Sequence, residues 1–202
     1  NLALANSIAE SVPGVFVGVT IMLHVPDDVP PEVRRVIMRS RNGPWRCQAA
    51  RARIAVVYEV PPRASGDAAD EVGLAGLCTT GQAIWSRLQQ SHGAIGDRIG
   101  LVVLFVQWME DPVGYVSKRY LAVADTPAVE LQLHSLHHVQ LGLGEVSRWA
   151  RCVAGEIVTD DGRRRALRLE VDVNTPPERN YELTNGTIAA FCEQAVGLAV
   201  QT

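Results

Sequence analysis

Three histidines, His134, His137 and His138, fall within five residues of one another, a density that invites a metal site. On a strand, His134 and His138 share a face while His137 points the other way. No cysteine or carboxylate trio stands nearby to complete a coordination shell, so solvent-facing or interface histidines are the competing reading, with pH sensing at a subunit contact a further option. Paired carboxylates occur at Asp27-Asp28, Glu110-Asp111 and Asp160-Asp161. Each adjoins turn chemistry and reads as turn or cap residues, or as loop carboxylates holding a cation between subunits. Cys47, Cys78, Cys152 and Cys192 are widely spaced and match no zinc or redox motif. They sit in apolar or strand-like stretches, the usual setting of buried, reduced cysteines. No Gly-x-Ser-x-Gly elbow, Walker loop or dinucleotide-binding glycine fingerprint is present, so no catalytic residue, metal ligand or cofactor site is assigned.

Arginine is the richest source of chemistry. Of 19 basic residues only Lys118 is a lysine. Arginine grips phosphates in bidentate fashion, although a GC-rich genome produces the same skew. Arg34, Arg35, Arg39, Arg41 and Arg46 cover one predicted element and its exit, and Arg51 and Arg53 share a face of the strand expected next. Arg163, Arg164 and Arg165 form a predicted hairpin tip. These seven earlier arginines are the candidate phosphate contacts, against a solvated face or cross-subunit ion pairs.

The elements that must position these groups are mostly strands. Val15–Val25 and Arg51–Val60 are rich in β-branched residues and bounded by proline. Ile99–Met109 is the most apolar run, and Tyr115–Ala124 and Val129–Leu143 follow it. Trp149–Val158 and Arg165–Val173 flank Asp160-Asp161-Gly162, a strong hairpin signal. Helical spacing predicts helices over Glu32–Arg39, Thr80–Gln90 and Thr187–Val200. Residues 1–12 read as an N-terminal arm or short helix, 13–178 as the body, and 179–202 as a C-terminal arm or helix. Seven or eight strands at this spacing, without a βαβ rhythm, indicate an all-β, mainly antiparallel sandwich or jelly roll with two or three short helices in its connections.

At 202 residues and 47% hydrophobic, the chain is long enough for a real core. A net charge of −3 argues against binding nucleic acid by bulk charge alone. No apolar run reaches membrane-spanning length. There is no secretory signal, and the chain opens at Asn1 without Met, so a segment upstream is expected.

One stretch carries a likeness. Leu143-Gly144-Glu145-Val146-Ser147-Arg148-Trp149-Ala150, then Thr159-Asp160-Asp161, then Leu167-Arg168-Leu169-Glu170-Val171-Asp172-Val173 and Pro176, resembles the C-terminal strands of cucumovirus coat proteins, with a comparable Leu-Glu-Val strand in bromovirus coats. Tyr120–Asp125 is similar to the preceding strand of the same proteins, and an ourmiavirus-like coat fits equally. The resemblance covers about residues 115–177 and consists of strand patterns. It implies an eight-stranded antiparallel jelly roll that self-assembles into a capsid shell around single-stranded genomic RNA of a plant virus. The protein would reside in the virion, and in host cytoplasm during assembly. A basic arm is absent, and an extra segment stands near residues 63–98. On this reading Phe191, Val196, Leu198 and Val200 in the apolar tail contact a neighbouring subunit. A movement protein of jelly-roll ancestry and a non-viral β-sandwich enzyme or ligand-binding protein are the alternatives.

Overall fold

A computed structural model describes residues 1–26, 28–41, 43–59, 71–121, 128–159, 162–176, 179 and 181–200. The chain forms two compact units: Asn1–Pro61 with Asp70–Gly96 and Glu182–Ala189, and Pro62–Ala69 with Asp97–Tyr181 and Ala190–Thr202. Each holds one four-stranded antiparallel sheet.

In the first unit the order is α1 (Leu2–Ser11), β1 (Thr20–Met22), β2 (Val36–Arg39), β3 (Trp45–Ala49), β4 (Ile54–Tyr58) and α2 (Glu71–His92). The sheet is a simple meander, β1-β2-β3-β4. Alternation puts Val36 and Met38 of β2 and Cys47 and Ala49 of β3 on one buried face. Ala5 and Ile8 of α1 and Ile84 and Leu88 of α2 close over that face, four residues apart on α2 as one helical face requires. Ser7 Oγ and His92 Nε2 lie 2.9 Å apart, and Arg87 pairs with Glu10, tying the two helices. The Trp85 indole N–H donates to the Leu183 carbonyl at 3.0 Å, and Gln89 donates to the same oxygen at 3.1 Å.

The second unit contains β5 (Gly100–Trp108), α3 (Pro112–Val116), a π-helical turn (Ser117–Leu121), β6 (Leu131–Leu141), β7 (Gly144–Thr159) and β8 (Gly162–Asn174). Its strand order is β5-β8-β7-β6. Thr159 pairs with Gly162, and Gly162 has φ +116°, a conformation that favours glycine. Val146, Ala154, Val171 and Val173 form the buried face. Val113 and Val116 pack against Ala154 on that side. A fourth helix, α4 (Asn185–Val200), begins in the first unit and continues into the second.

Among the described residues, eight strands in two antiparallel sheets agree with the expected strand content. Helix is nearly as abundant, with 38% strand and 32% helix among the described residues, so the chain is not all-β. The connecting helices also include the 22-residue α2. A jelly roll interleaves strands from both halves of the chain in each sheet. Here β1–β4 fill one sheet and β5–β8 the other, so the described strand order differs from a jelly roll.

Several local expectations change for identifiable reasons. Of the two readings of residues 1–12, the short helix holds: α1 spans Leu2–Ser11, and its Ile8 is 0% exposed inside the first core. Glu32–Arg39 is not a helix. Val36 and Met38 satisfy strand alternation, and β2 is held between β1 and β3. Of Val15–Val25 only Thr20–Met22 is strand, and it forms the sheet edge. Tyr115–Leu121 is helical because Asp111 caps a new helix: its Oδ1 accepts from the Gly114 N–H at 2.9 Å, and Pro112 fills the first turn. The hairpin tip Asp160-Asp161, Asp27, Asn42, the expected loop over 63–70 and residues 122–124 of the expected strand lie outside the described residues.

Candidate nucleic-acid interface

The seven arginines do not form one surface. They divide between the two ends of the β2–β3 hairpin. Arg39 ends β2 and Arg46 lies directly opposite it on β3, both on the face away from the core. Arg41 sits in the connecting loop. At the other end, Arg34 is an exposed residue before β2, while Arg51 and Arg53 lie in the turn after β3 rather than on a strand face. That turn is closed by the Ala50 N–H donating to the Arg53 carbonyl at 2.8 Å. Arg35 is corrected outright. It is 6% exposed, and its guanidinium donates to the carbonyls of Val25 (3.3 Å) and Pro26 (3.0 Å). It tethers the chain before β2 and is largely buried.

Arg39, Arg41 and Arg46 line an open cleft of about 490 Å³ together with Gly18, Ser40, Pro44 and Glu59. Backbone contacts fix its walls. The Gly18 N–H donates to the Arg39 carbonyl at 3.0 Å, and the Arg39 N–H donates to Val19 at 2.9 Å. Any side chain at Gly18 would collide with the Arg39 carbonyl, so the close approach requires glycine. Ser40 stitches the hairpin loop: its N–H donates to the Trp45 carbonyl at 3.0 Å, and its hydroxyl accepts from the Trp45 N–H at 3.2 Å. The Glu59 N–H is anchored on the Pro44 carbonyl at 2.8 Å.

Electrostatically the cleft is positive and only partly balanced. Like charges directly opposite on neighbouring strands are unfavourable, and Arg39 and Arg46 form such a pair. Glu59 offsets Arg46 at 2.5 Å, and both side chains remain partly exposed. Trp45 packs edge-on against Tyr58, with ring centroids 4.8 Å apart, and, partly buried, packs against the core while also lining the cleft. A smaller cavity of about 350 Å³ at the opposite hairpin end is lined by His24, Arg35 and Arg51.

The remaining candidates are placed as follows. Arg163 pairs with Glu156 at 3.8 Å, Arg164 stacks over Trp108 at 4.4 Å, and Arg165 donates to the Glu110 carbonyl at 3.3 Å. His134 and His138 do share one face of β6, opposite Arg151 and Ser147 of β7. His138 Nδ1 stands 3.7 Å from Glu145. Among the described residues no three His, Cys, Asp or Glu side chains are grouped to hold a metal. Burial pushes the Cys47 thiol up to about 12 and raises that of Cys152, so both are poor nucleophiles near neutrality.

In the tail, Phe191 is 1% exposed within the single chain. Val196, Leu198 and Val200 are half-buried, and the Leu198 carbonyl accepts from Arg148 Nε at 3.0 Å. Phe191 is therefore spent in the fold and unavailable to a neighbour. What the sequence pattern missed is the Arg39–Arg46 register across the hairpin. Asn42-Gly43-Pro44 signals that turn, yet only strand pairing reveals which arginines meet. No described helix is long and apolar enough to cross a membrane. No family model, curated protein or solved structure matches the chain.

Proposed function

We propose that this chain is a coat-type structural protein: it self-associates and holds single-stranded RNA by its phosphates through the Arg39–Arg41–Arg46 cleft. The observation carrying this reading is the cross-strand arginine pair with Arg41 beside it, a positive cluster that Glu59 offsets only in part and that a bound phosphate would relieve further. Phosphate contacts of this kind position a nucleic acid without reading its sequence, as packaging requires. Self-association is supported by large apolar side chains left bare on the edge strands of both sheets, including Ile21 and Met22 on β1 and Val102 and Leu104 on β5. The proposal does not need a jelly roll. It places the protein in a virion, with no resident cofactor and no catalytic step.

Mixing the purified chain with single-stranded RNA tests it, read by light scattering and negative-stain microscopy. Discrete RNA-dependent particles are expected. They should be lost in an Arg39→Glu, Arg41→Glu, Arg46→Glu triple variant whose circular dichroism is unchanged. A chain that neither binds RNA nor grows beyond small oligomers refutes the reading.

A further inference from the structure

β5 is an edge strand with the composition of an interior one. Residues Leu101–Trp108 (Leu-Val-Val-Leu-Phe-Val-Gln-Trp) carry no charge and no proline, and among the described residues the strand pairs with β8 alone. Natural sheets protect such edges with charges, proline, bulges or a covering element. Among the described residues none of those devices is found on β5. Its solvent face is also apolar: Val102 is 53% exposed, Leu104 53% and Val106 37%.

The hydrogen bonding at the two strand ends shows which way each backbone group points. The Met109 N–H donates to Arg165 at 3.3 Å, and the Ile99 carbonyl accepts from Thr175 at 3.0 Å, so odd-numbered residues face β8. The N–H and C=O groups of Gly100, Val102, Leu104, Val106 and Trp108 therefore point to the open edge.

We infer that this edge pairs antiparallel with β5 of a second copy of the chain, about a two-fold axis at Leu104, to make one eight-stranded sheet. This deepens, and rests on, the self-assembly half of the proposed function. The register is chosen by self-complementarity, which a two-fold contact demands. Centring on Leu104 aligns all five outward-facing residues, giving about ten main-chain hydrogen bonds, two for each such residue. Val102 then faces the copy's Val106. Trp108 covers the copy's Gly100, the pairing by which an aromatic shields an exposed strand glycine. In the same register Arg98 stands opposite the copy's Glu110. Both side chains are exposed, and among the described residues neither has an ion-pair partner. Asp111, the next acidic residue, is turned back to cap Gly114. Asp97 adjoins Arg98 at the other parity of the extended chain, with its carbonyl held by the Tyr181 N–H at 3.2 Å. The strand is thus uncharged along its length, with Arg98 two residues before it and Glu110 two residues after it, a spacing that fits an antiparallel copy of itself.

The test is sedimentation equilibrium of the full chain without RNA, so that failure of strand pairing is read separately from failure of the arginine cleft. Wild type is expected to sediment as two chains or a multiple of two. Leu104→Lys sets two ammonium groups against each other at the axis and is expected to sediment as half the wild-type mass, with unchanged circular dichroism because Leu104 is exposed. Arg98→Glu and Glu110→Arg are each expected to weaken the dimer about tenfold, and the double swap to restore it. Leu104→Cys is expected to cross-link through residue 104 under mild oxidation, while Leu136→Cys on the far edge strand is not. A monomeric wild type, a Leu104→Lys dimer as tight as wild type, or no rescue by the double swap overturns the inference.

Discussion

Replacing Arg39 by threonine has opposite expected effects on stability and on RNA binding, and that opposition is the sharpest test of the cleft. Arg39 and Arg46 are direct cross-strand partners, which puts their Cβ atoms ~5 Å apart. The guanidinium groups can splay to ~8 Å in solvent, where two unit charges repel by ~0.5 kcal/mol at the dielectric of water, and less once salt screens them. Threonine also suits a strand better than arginine does. Arg39→Thr is therefore expected to stabilise the free protein by ~0.2–0.5 kcal/mol, a rise of ~0.2 M in the urea midpoint at an m-value of ~2 kcal/mol per M. The same change removes one phosphate contact, so the slope of log affinity against log salt should become shallower by ~0.7 for single-stranded RNA. Glu59→Gln works the other way: it lifts the acid that offsets Arg46 at 2.5 Å and should tighten RNA binding by about threefold, the equivalent of ~0.7 kcal/mol. Fluorescence anisotropy of a labelled oligouridine across a salt series, with urea unfolding alongside, reads all three. If Arg39→Thr costs more than ~1 kcal/mol while leaving the salt slope intact, Arg39 is a structural residue and the cleft is not a phosphate site. Weaker binding by Glu59→Gln would refute the electrostatic account by itself.

Ile8→Ala should cost ~2–5 kcal/mol, because Ile8 is fully buried in α1, whereas Leu2→Ala on the exposed end of the same helix should cost under ~0.5 kcal/mol; urea unfolding followed through Trp45 and Trp85 separates them. Asp111→Ala should cost ~0.5–2 kcal/mol by orphaning the Gly114 N–H, visible as faster hydrogen exchange over Pro112–Val116. The Cys47 thiol, held at about 12 by burial, stays protonated in the folded protein while the unfolded thiol ionises near ~8.5. The unfolded state then binds fewer protons, so this group's contribution is complete below ~8.5 and is lost as pH rises toward its folded value. Urea midpoints of wild type and Cys47→Ala compared between pH 7 and 10 should show a shallower decline in the variant; parallel declines would show that Cys47 is not the buried thiol described.

Strand content was legible wherever a segment's own pattern was unambiguous. Leu167, Leu169, Val171 and Val173 alternate strictly, and Asp160-Asp161-Gly162 fixes a turn before them; β7 and β8 followed. The tail helix was legible from the spacing of Ile188, Phe191, Ala195 and Val196. Short elements were not. Val33, Val36 and Ile37 fit helical spacing as well as strand alternation does, and β2 exists because β1 and β3 supply its hydrogen bonds from both sides. Tyr115–Leu121 carries strand-like residues, yet the Asp111 cap and Pro112 start a helix that packs Val113 and Val116 on Ala154.

The candidate site divides in the same way. The sequence by itself determined that the chain is rich in arginine and poor in lysine, that its arginines crowd the Arg34–Arg53 region, and that Ile99–Met109 is uncharged and apolar but for Gln107. Tertiary structure decided that Arg35 is buried as a tether, that Arg39, Arg41 and Arg46 meet at one hairpin end, and that the most apolar strand lies at an edge. The physical reason is that charge and hydropathy belong to residues, whereas strand register and sheet order are set by hydrogen bonds between segments distant in the chain, and those alone decide which side chains face one another.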